Sequence, residues 1–317
     1  MPNEIVASFE QAFEIDPEPL IKRVDSFCAA GEFTGTTEAA ALSRSALFTR
    51  VPVPVVARFS GTRDDRNVRE LELEFGLRGG GVHHMAMLNT PVFGTADPVT
   101  FEEMLVAVKP DPYTGKPDPL RLREFLAAHP DAFTQRNLLT AFGSPSNYAA
   151  TAYFSIHTFR FIDSDGRTHF VRWRFEPKDN RDGTMSRLEP AETTEDSVEE
   201  RLITRLARSP VRWDMIVSLG EPEDTTDNAS IAWPEDRMHL EAGTLTITRA
   251  MPGSAPECGE RRFDPLIVAD GIAPTDDPVL LFRSPTYRLA FSENLAQALT
   301  SPNTAIVRTG VAWPLVQ

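Results

Sequence analysis

Arg283 and Tyr287, in the segment LLFRSPTYRLAF, have the types and spacing for metal chemistry. A phenolate is a hard metal ligand, and a guanidinium near the phenol oxygen favours the ionised form because opposite charge stabilises it. Ser284 and Pro285, followed by good helix formers, predict a helix start with Ser284 as N-cap and Pro285 at the first helical position. Arg283 then stands just outside the helix, able to fold back on a tyrosine in its first turn. An ordinary helix start with a core tyrosine is the plain alternative.

Other side chains invite similar questions. Arg58 follows Val55, Val56 and Ala57 in an apolar alternation, where a buried guanidinium needs an anionic partner. Arg63 and Arg66 read as a solvated face. Phe93 and Phe101 flank a turn-rich connection and read first as core aromatics. His157 lies among apolar and aromatic residues in YFSIHTFRFID, and a histidine there is either a hydrogen-bonded core residue or a ligand. Cys28 and Cys258 are too few for a zinc site or a disulfide framework and are expected as reduced thiols.

The elements that would position these groups are mostly strands. Apolar alternation and β-branched enrichment predict strands over 51–60, 69–77, 83–93, 153–163, 168–177, 213–220 and 238–248. Asp165-Gly166, between two alternating runs, is a hairpin signal, so an antiparallel barrel or sandwich follows. Helical spacing falls around 17–30, over 101–109, 120–129 and 197–208, and from Pro285 onward, which makes the class α+β. Stretches near 110–119, 176–196 and 252–280 are rich in Pro, Gly, Asp and Glu and read as surface loops that wrap the barrel. The expected organisation is a single domain over 1–317: a helical arm over 1–44, a barrel with inserted helices over 45–250, and a C-terminal wrapping segment over 251–317.

The 317 residues, 41% of them hydrophobic, are enough for a sizeable core. A net charge of −14 argues against nucleic-acid or anionic-membrane partners, which need a basic surface. No stretch approaches a membrane span, and the acidic start lacks the pattern of a secretory leader, so a cytoplasmic location is expected.

Taken in order, several segments resemble the catalase family, in particular its short catalase-related peroxidases. CAAGEF resembles the family's C-x-x-G-x-F turn and is followed by the similar TEAAALSRSALF; ARFS is similar to its V-R-F-S strand, NTPVF to its N-x-P-V-F motif, and IHTFRF to its G-S-H-T-F segment. WPEDRMHLEAGTLTIT and DDPVLLFRSPTYRLAF also resemble the short members, the latter matching the R-x-x-x-Y spacing. The resemblance implies a catalase-like antiparallel β-barrel wrapped by helices and long loops, a haem b cofactor, and hydrogen peroxide or organic hydroperoxides as substrates. It makes Tyr287 the axial ligand of the haem iron and Arg283 the cation that keeps it ionised, in the tyrosinate arrangement of catalases. It also pairs Arg58 with a haem propionate, lines the distal side with Phe93 and Phe101, and sets His157 near the macrocycle.

Two departures bear on activity. Counting from Cys28, Arg23 stands where the family's H-A-K-G segment has its distal histidine; counting from Pro91, Leu88 stands where it has its distal asparagine. Arg23 can stabilise charge on a breaking O–O bond, but it stays protonated and is a poor base. A positioned acid–base contributes about 10²–10⁴-fold, so impaired catalase turnover is expected. His83 and His84 are the other candidates, although His84 lies roughly 13 Å from Leu88 along an extended strand. The alternatives are a haem enzyme for a more apolar oxidisable substrate, a non-catalytic haem-binding or sensing protein, and a haem-free relative. A homo-oligomer is compatible with each.

Overall fold

The computed structural model describes residues 25–61, 68–109, 111, 113–114, 116–142, 147–178, 198–251, 261 and 263–283. Eight of its strands close an antiparallel barrel. In chain order they are β1 (Asp25–Gly35), β2 (Val53–Gly61), β3 (Arg69–Gly76), β4 (Val82–Leu88), β5 (Tyr153–Phe154), β7 (Thr168–Pro177), β8 (Val211–Leu219) and β9 (His239–Ala250). Neighbours run β7-β5-β4-β3-β2-β1-β9-β8, and a β7–β8 pairing closes the ring. Strands β6 (Phe159–Ile162) and β10 (Ile272–Pro274) extend the sheet beyond β7.

Alternation along each strand decides which side chains fill the barrel. Phe27 and Phe33 of β1, Ala57 and Phe59 of β2, Leu71, Leu73 and Phe75 of β3, and Met85 and Met87 of β4 pack into one apolar cluster with Trp173, Phe175, Trp213 and Leu245. The alternate residues of β2 to β4 face outward. Their cross-strand rows include Arg58 beside Glu72 and Ala86, and Ser60 beside Glu70 and Leu88.

The β3–β4 register depends on its hairpin, where Gly79, Gly80 and Gly81 hold φ of 86°, 94° and 90°, in the left-handed region that glycine adopts without a Cβ penalty. The helical spacing expected around 17–30 gives way to strand at residue 25, because β1 hydrogen-bonds to β2 on one side and β9 on the other. Ala29, Ala30 and Gly31 carry little local strand signal, so pairing on both flanks overrides it. The part of the expected helical arm that is described therefore includes a central barrel strand; residues 1–24 lie outside the described set.

Helices α1 (Thr37–Leu42), α2 (Pro98–Val108), α3 (Pro119–Ala128), α4 (Ala132–Phe142) and α5 (Val198–Leu206) connect the strands. The α2 and α3 helices start alike, with Asp97 and Asp118 accepting from the first-turn amides ahead of Pro98 and Pro119. Sequence spacing missed α1, α4 and the short β10.

One correction concerns Arg283, expected just outside a helix. Residues 278–283 are helical and form α6, while the helix expected from Pro285, with Ser284 as its cap, lies outside the described residues. Asp277 is the cap of α6, its Oδ1 accepting from the amides of Val279 at 2.9 Å and Leu280 at 3.2 Å. Arg283 thus lies within the helix.

A second correction concerns Cys28, which is disulfide-bonded rather than reduced. The Met251 amide donates to the Cys28 carbonyl at 2.7 Å, which brings the chain leaving β9 beside Cys28. Sequence separation carries no sign of that approach.

Candidate active site

The site has two sides, one built from α6 and the turn after β5, the other from the outward face of β2 to β4. On the first side, the expected strand over 153–163 is broken between β5 and β6. Ile156 adopts φ of 49°, a strained conformation for a β-branched residue, and the turn it makes presents buried His157 to α6. His157 Nδ1 lies 2.7 Å from Asp277 Oδ2, and Arg283 donates from its guanidinium to His157 Nε2 at 3.4 Å. Because arginine only donates, Nε2 is the acceptor and Nδ1 carries the proton, which it donates to Asp277. Burial lowers the His157 pKa, and the Asp277 hydrogen bond opposes the shift, so the ring is neutral with a defined tautomer. Asp277 therefore does two jobs, capping α6 and orienting His157.

Arg172 braces this side. Its guanidinium donates to the Thr158 hydroxyl and the Ile231 and Asn228 carbonyls at 3.0, 2.7 and 3.2 Å, and it stacks over Trp233 at 4.9 Å. Burial pushes its pKa down to about 10. The Phe93 amide bonds to the Ala229 carbonyl of the same loop at 2.8 Å, and the Phe93 and Phe101 rings meet at 5.3 Å, as a close aromatic pair.

On the strand side, the anionic partner that buried Arg58 demands is Glu72, directly across from it on β3. Arg58 also lies over the Phe263 ring at 4.6 Å. Glu74 bonds to Arg261, and its other oxygen lies 3.2 Å from His84 Nε2. Glu70 is half-buried and accepts from the Ser60 hydroxyl at 3.2 Å. Burial and neighbouring Glu72 raise the Glu70 pKa, while Arg283, Arg58 and Ser60 pull it back. The face thus carries three carboxylates among arginines, with buried Leu88 in the Glu70 row.

Among the residues singled out from sequence, His157 and Arg283 meet on the first side, and Arg58 and Leu88 share the strand face. Arg23, Arg63, Arg66 and Tyr287 lie outside the described residues. His83 points into the barrel beside Phe75, and burial lowers its pKa to about 3. His84 faces outward but is engaged by Glu74. Sequence reading missed Asp277, Glu70, Glu72, Glu74 and Arg172. Asp277 had a signal, since Asp277-Pro278 repeats the Asp-Pro start of α2 and α3. The alternation of RELELEF likewise puts all three glutamates on one face.

The catalase family model matches residues 12–299 of this chain. Over 302 residues the chain is 41% identical to a catalase-related peroxidase of Synechococcus elongatus, covering 92% of itself and 88% of that protein. It is 34% identical over 267 residues to a catalase-related peroxidase of Mycolicibacterium paratuberculosis, covering 81% and 83%. A catalase of Vibrio vulnificus is 27% identical over 278 residues, and the match spans 52% of its length. Among solved structures, a fungal catalase superposes with a TM-score of 0.73 at 20% identity, covering 85% of this chain and 58% of that one.

Proposed function

This chain belongs to the catalase family, and on that premise we propose that it is a cytoplasmic haem-b protein acting on hydrogen peroxide or organic hydroperoxides, with slow catalase turnover. The observation that carries the reading is the Asp277–His157–Arg283 chain, which ends on a guanidinium four residues before Tyr287. A neutral histidine held by Asp277 leaves Arg283 fully charged and fixed in direction. That is the requirement for holding the Tyr287 phenol oxygen ionised as a ligand.

The donor set meets the cofactor differently on its two sides. Toward α6 it fits, because an ordered cation stands at the right spacing from a phenol. Toward β2 to β4 a buried guanidinium is present in Arg58, but Glu72 is already its partner, so a propionate would share Arg58 with Glu72 or take its place. When bound, haem supplies the redox electrons for peroxide cleavage. The chain's own contribution is to orient the phenolate through Arg283 and to offer an apolar wall at Leu88. That wall favours an organic hydroperoxide over hydrogen peroxide, because it cannot hydrogen-bond a small polar ligand.

The experiment is haemin titration of the parent and of Tyr287→Phe, followed by the Soret and high-spin ferric bands. One haem per parent chain and loss of the high-spin ferric spectrum in the variant are expected. An unchanged spectrum in Tyr287→Phe would show that the iron is held elsewhere, and a parent that takes up no haem would overturn the reading.

A further inference from the structure

Cleaving a peroxide requires a group that takes a proton from one oxygen and returns it to the other. Arg23 remains protonated and Leu88 has no proton to give. The strand face offers four other candidates. His84 lies at the far end of β4, bonded to Glu74, in the row paired with that residue. Glu74 is held by Arg261 and His84, and Glu72 is buried against Arg58. The fourth is Glu70, which pairs in register with Leu88 and accepts from the neutral Ser60 hydroxyl.

We propose that Glu70 is the acid–base group of the peroxide site, a carboxylate on β3 in place of the missing histidine on the arm. The assignment rests on the haem reading above. Paired residues of neighbouring antiparallel strands point to the same side, so Glu70 projects from the face that Leu88 walls. A Glu70 carboxylate oxygen takes the proton of one peroxide oxygen and passes it to the other. The O–O bond then breaks with its electron pair on the departing oxygen, which takes the relayed proton and leaves as water, or as an alcohol from an organic hydroperoxide; a bound haem would supply the two electrons that the remaining oxygen needs. The charged groups facing Glu70 are Arg58 from β2, Glu72 from its own strand and Arg283 from α6. Burial, with Glu72 beside it, holds the carboxyl pKa above its ordinary value against the pull of Arg283 and Arg58, closer to the working range of a general base.

The test uses the haem-loaded full chain, with cyanide as a probe that gives up a proton on binding. In Glu70→Gln, cyanide association and peroxide reaction should each slow by about 10²–10⁴-fold and lose their dependence on a single acidic group, with Glu70→Asp recovering part of both. Ser60→Ala, which removes a hydrogen bond to the carboxylate, should move the pH midpoint of both reactions upward. This variant provides the decision if Glu70→Gln does not fold. Rates and pH profiles that match the parent in these variants would overturn the role of Glu70 while leaving haem binding intact. A parent without a Soret band would overturn both this assignment and the reading beneath it.

Discussion

The two sides of the site handle buried charge differently. Toward α6, one carboxylate, one neutral imidazole and one guanidinium form a single chain of hydrogen bonds with every proton assigned. Toward β2 to β4, Glu70, Glu72 and Glu74 crowd one strand face and are balanced by Arg58 and Arg261. The first arrangement holds one cation at a fixed place against His157. The second compensates its own charge, so any further anion there competes with carboxylates already in place. Orientation is thus fixed on one side, and affinity is negotiable on the other.

The largest expected effect on stability tests that difference directly. Glu72→Ala removes the carboxylate across from buried Arg58 and should destabilise the haem-free protein by about 3–5 kcal/mol, whereas replacing Arg58 and Glu72 together by leucine should be far milder. Urea unfolding of the three proteins measures it. Added haemin should recover more of the lost stability in Glu72→Ala than it adds to the parent. Equal gains would mean that Arg58 does not engage the cofactor.

Toward α6, Asp277→Ala removes a helix cap and strands the His157 Nδ1 proton in a buried setting, for a loss of about 2–4 kcal/mol. Asp277→Asn keeps an oxygen for the cap but turns an amide N–H toward the His157 Nδ1 proton, so it should recover only the cap's share, about 1 kcal/mol, by the same urea measurement. Similar losses in the two variants would deny Asp277 its capping role.

The smallest effect concerns pH. Folding lowers the pKa values of His83, His84 and His157, with His83 falling to about 3. The unfolded chain therefore binds more protons than the folded one below about pH 6.5, and stability present above that pH is lost as pH falls toward the folded values. His83 alone should account for roughly 2 kcal/mol between pH 6.5 and 5. Unfolding free energies at pH 7, 6 and 5 should fall in that order, and His83→Leu should flatten the slope. A slope unchanged in that variant would place the titration elsewhere.

Much of the fold was legible in the primary structure because its determinants are local. Alternation in VPVPVVARFS, RELELEFGL and THFVRWRFEP specifies strands with an apolar side, and Asp-Pro pairs specify where α2 and α3 begin. The same local logic established that Arg58 needed a carboxylate and that His157 lay among core residues. It could not say which carboxylate, since Glu72 meets Arg58 only once β2 and β3 pair in register. Nor could it join His157 to Asp277, which is 120 residues away and arrives only when the chain after β10 closes over the break between β5 and β6. Strand β1 was missed for the same reason, its identity resting on two neighbours rather than on its own alternation. Side-chain period is a property of a segment. Partnership is a property of register and barrel closure, and a shift of one residue in the β3–β4 pairing would have turned Glu70 away from the face that Leu88 lines.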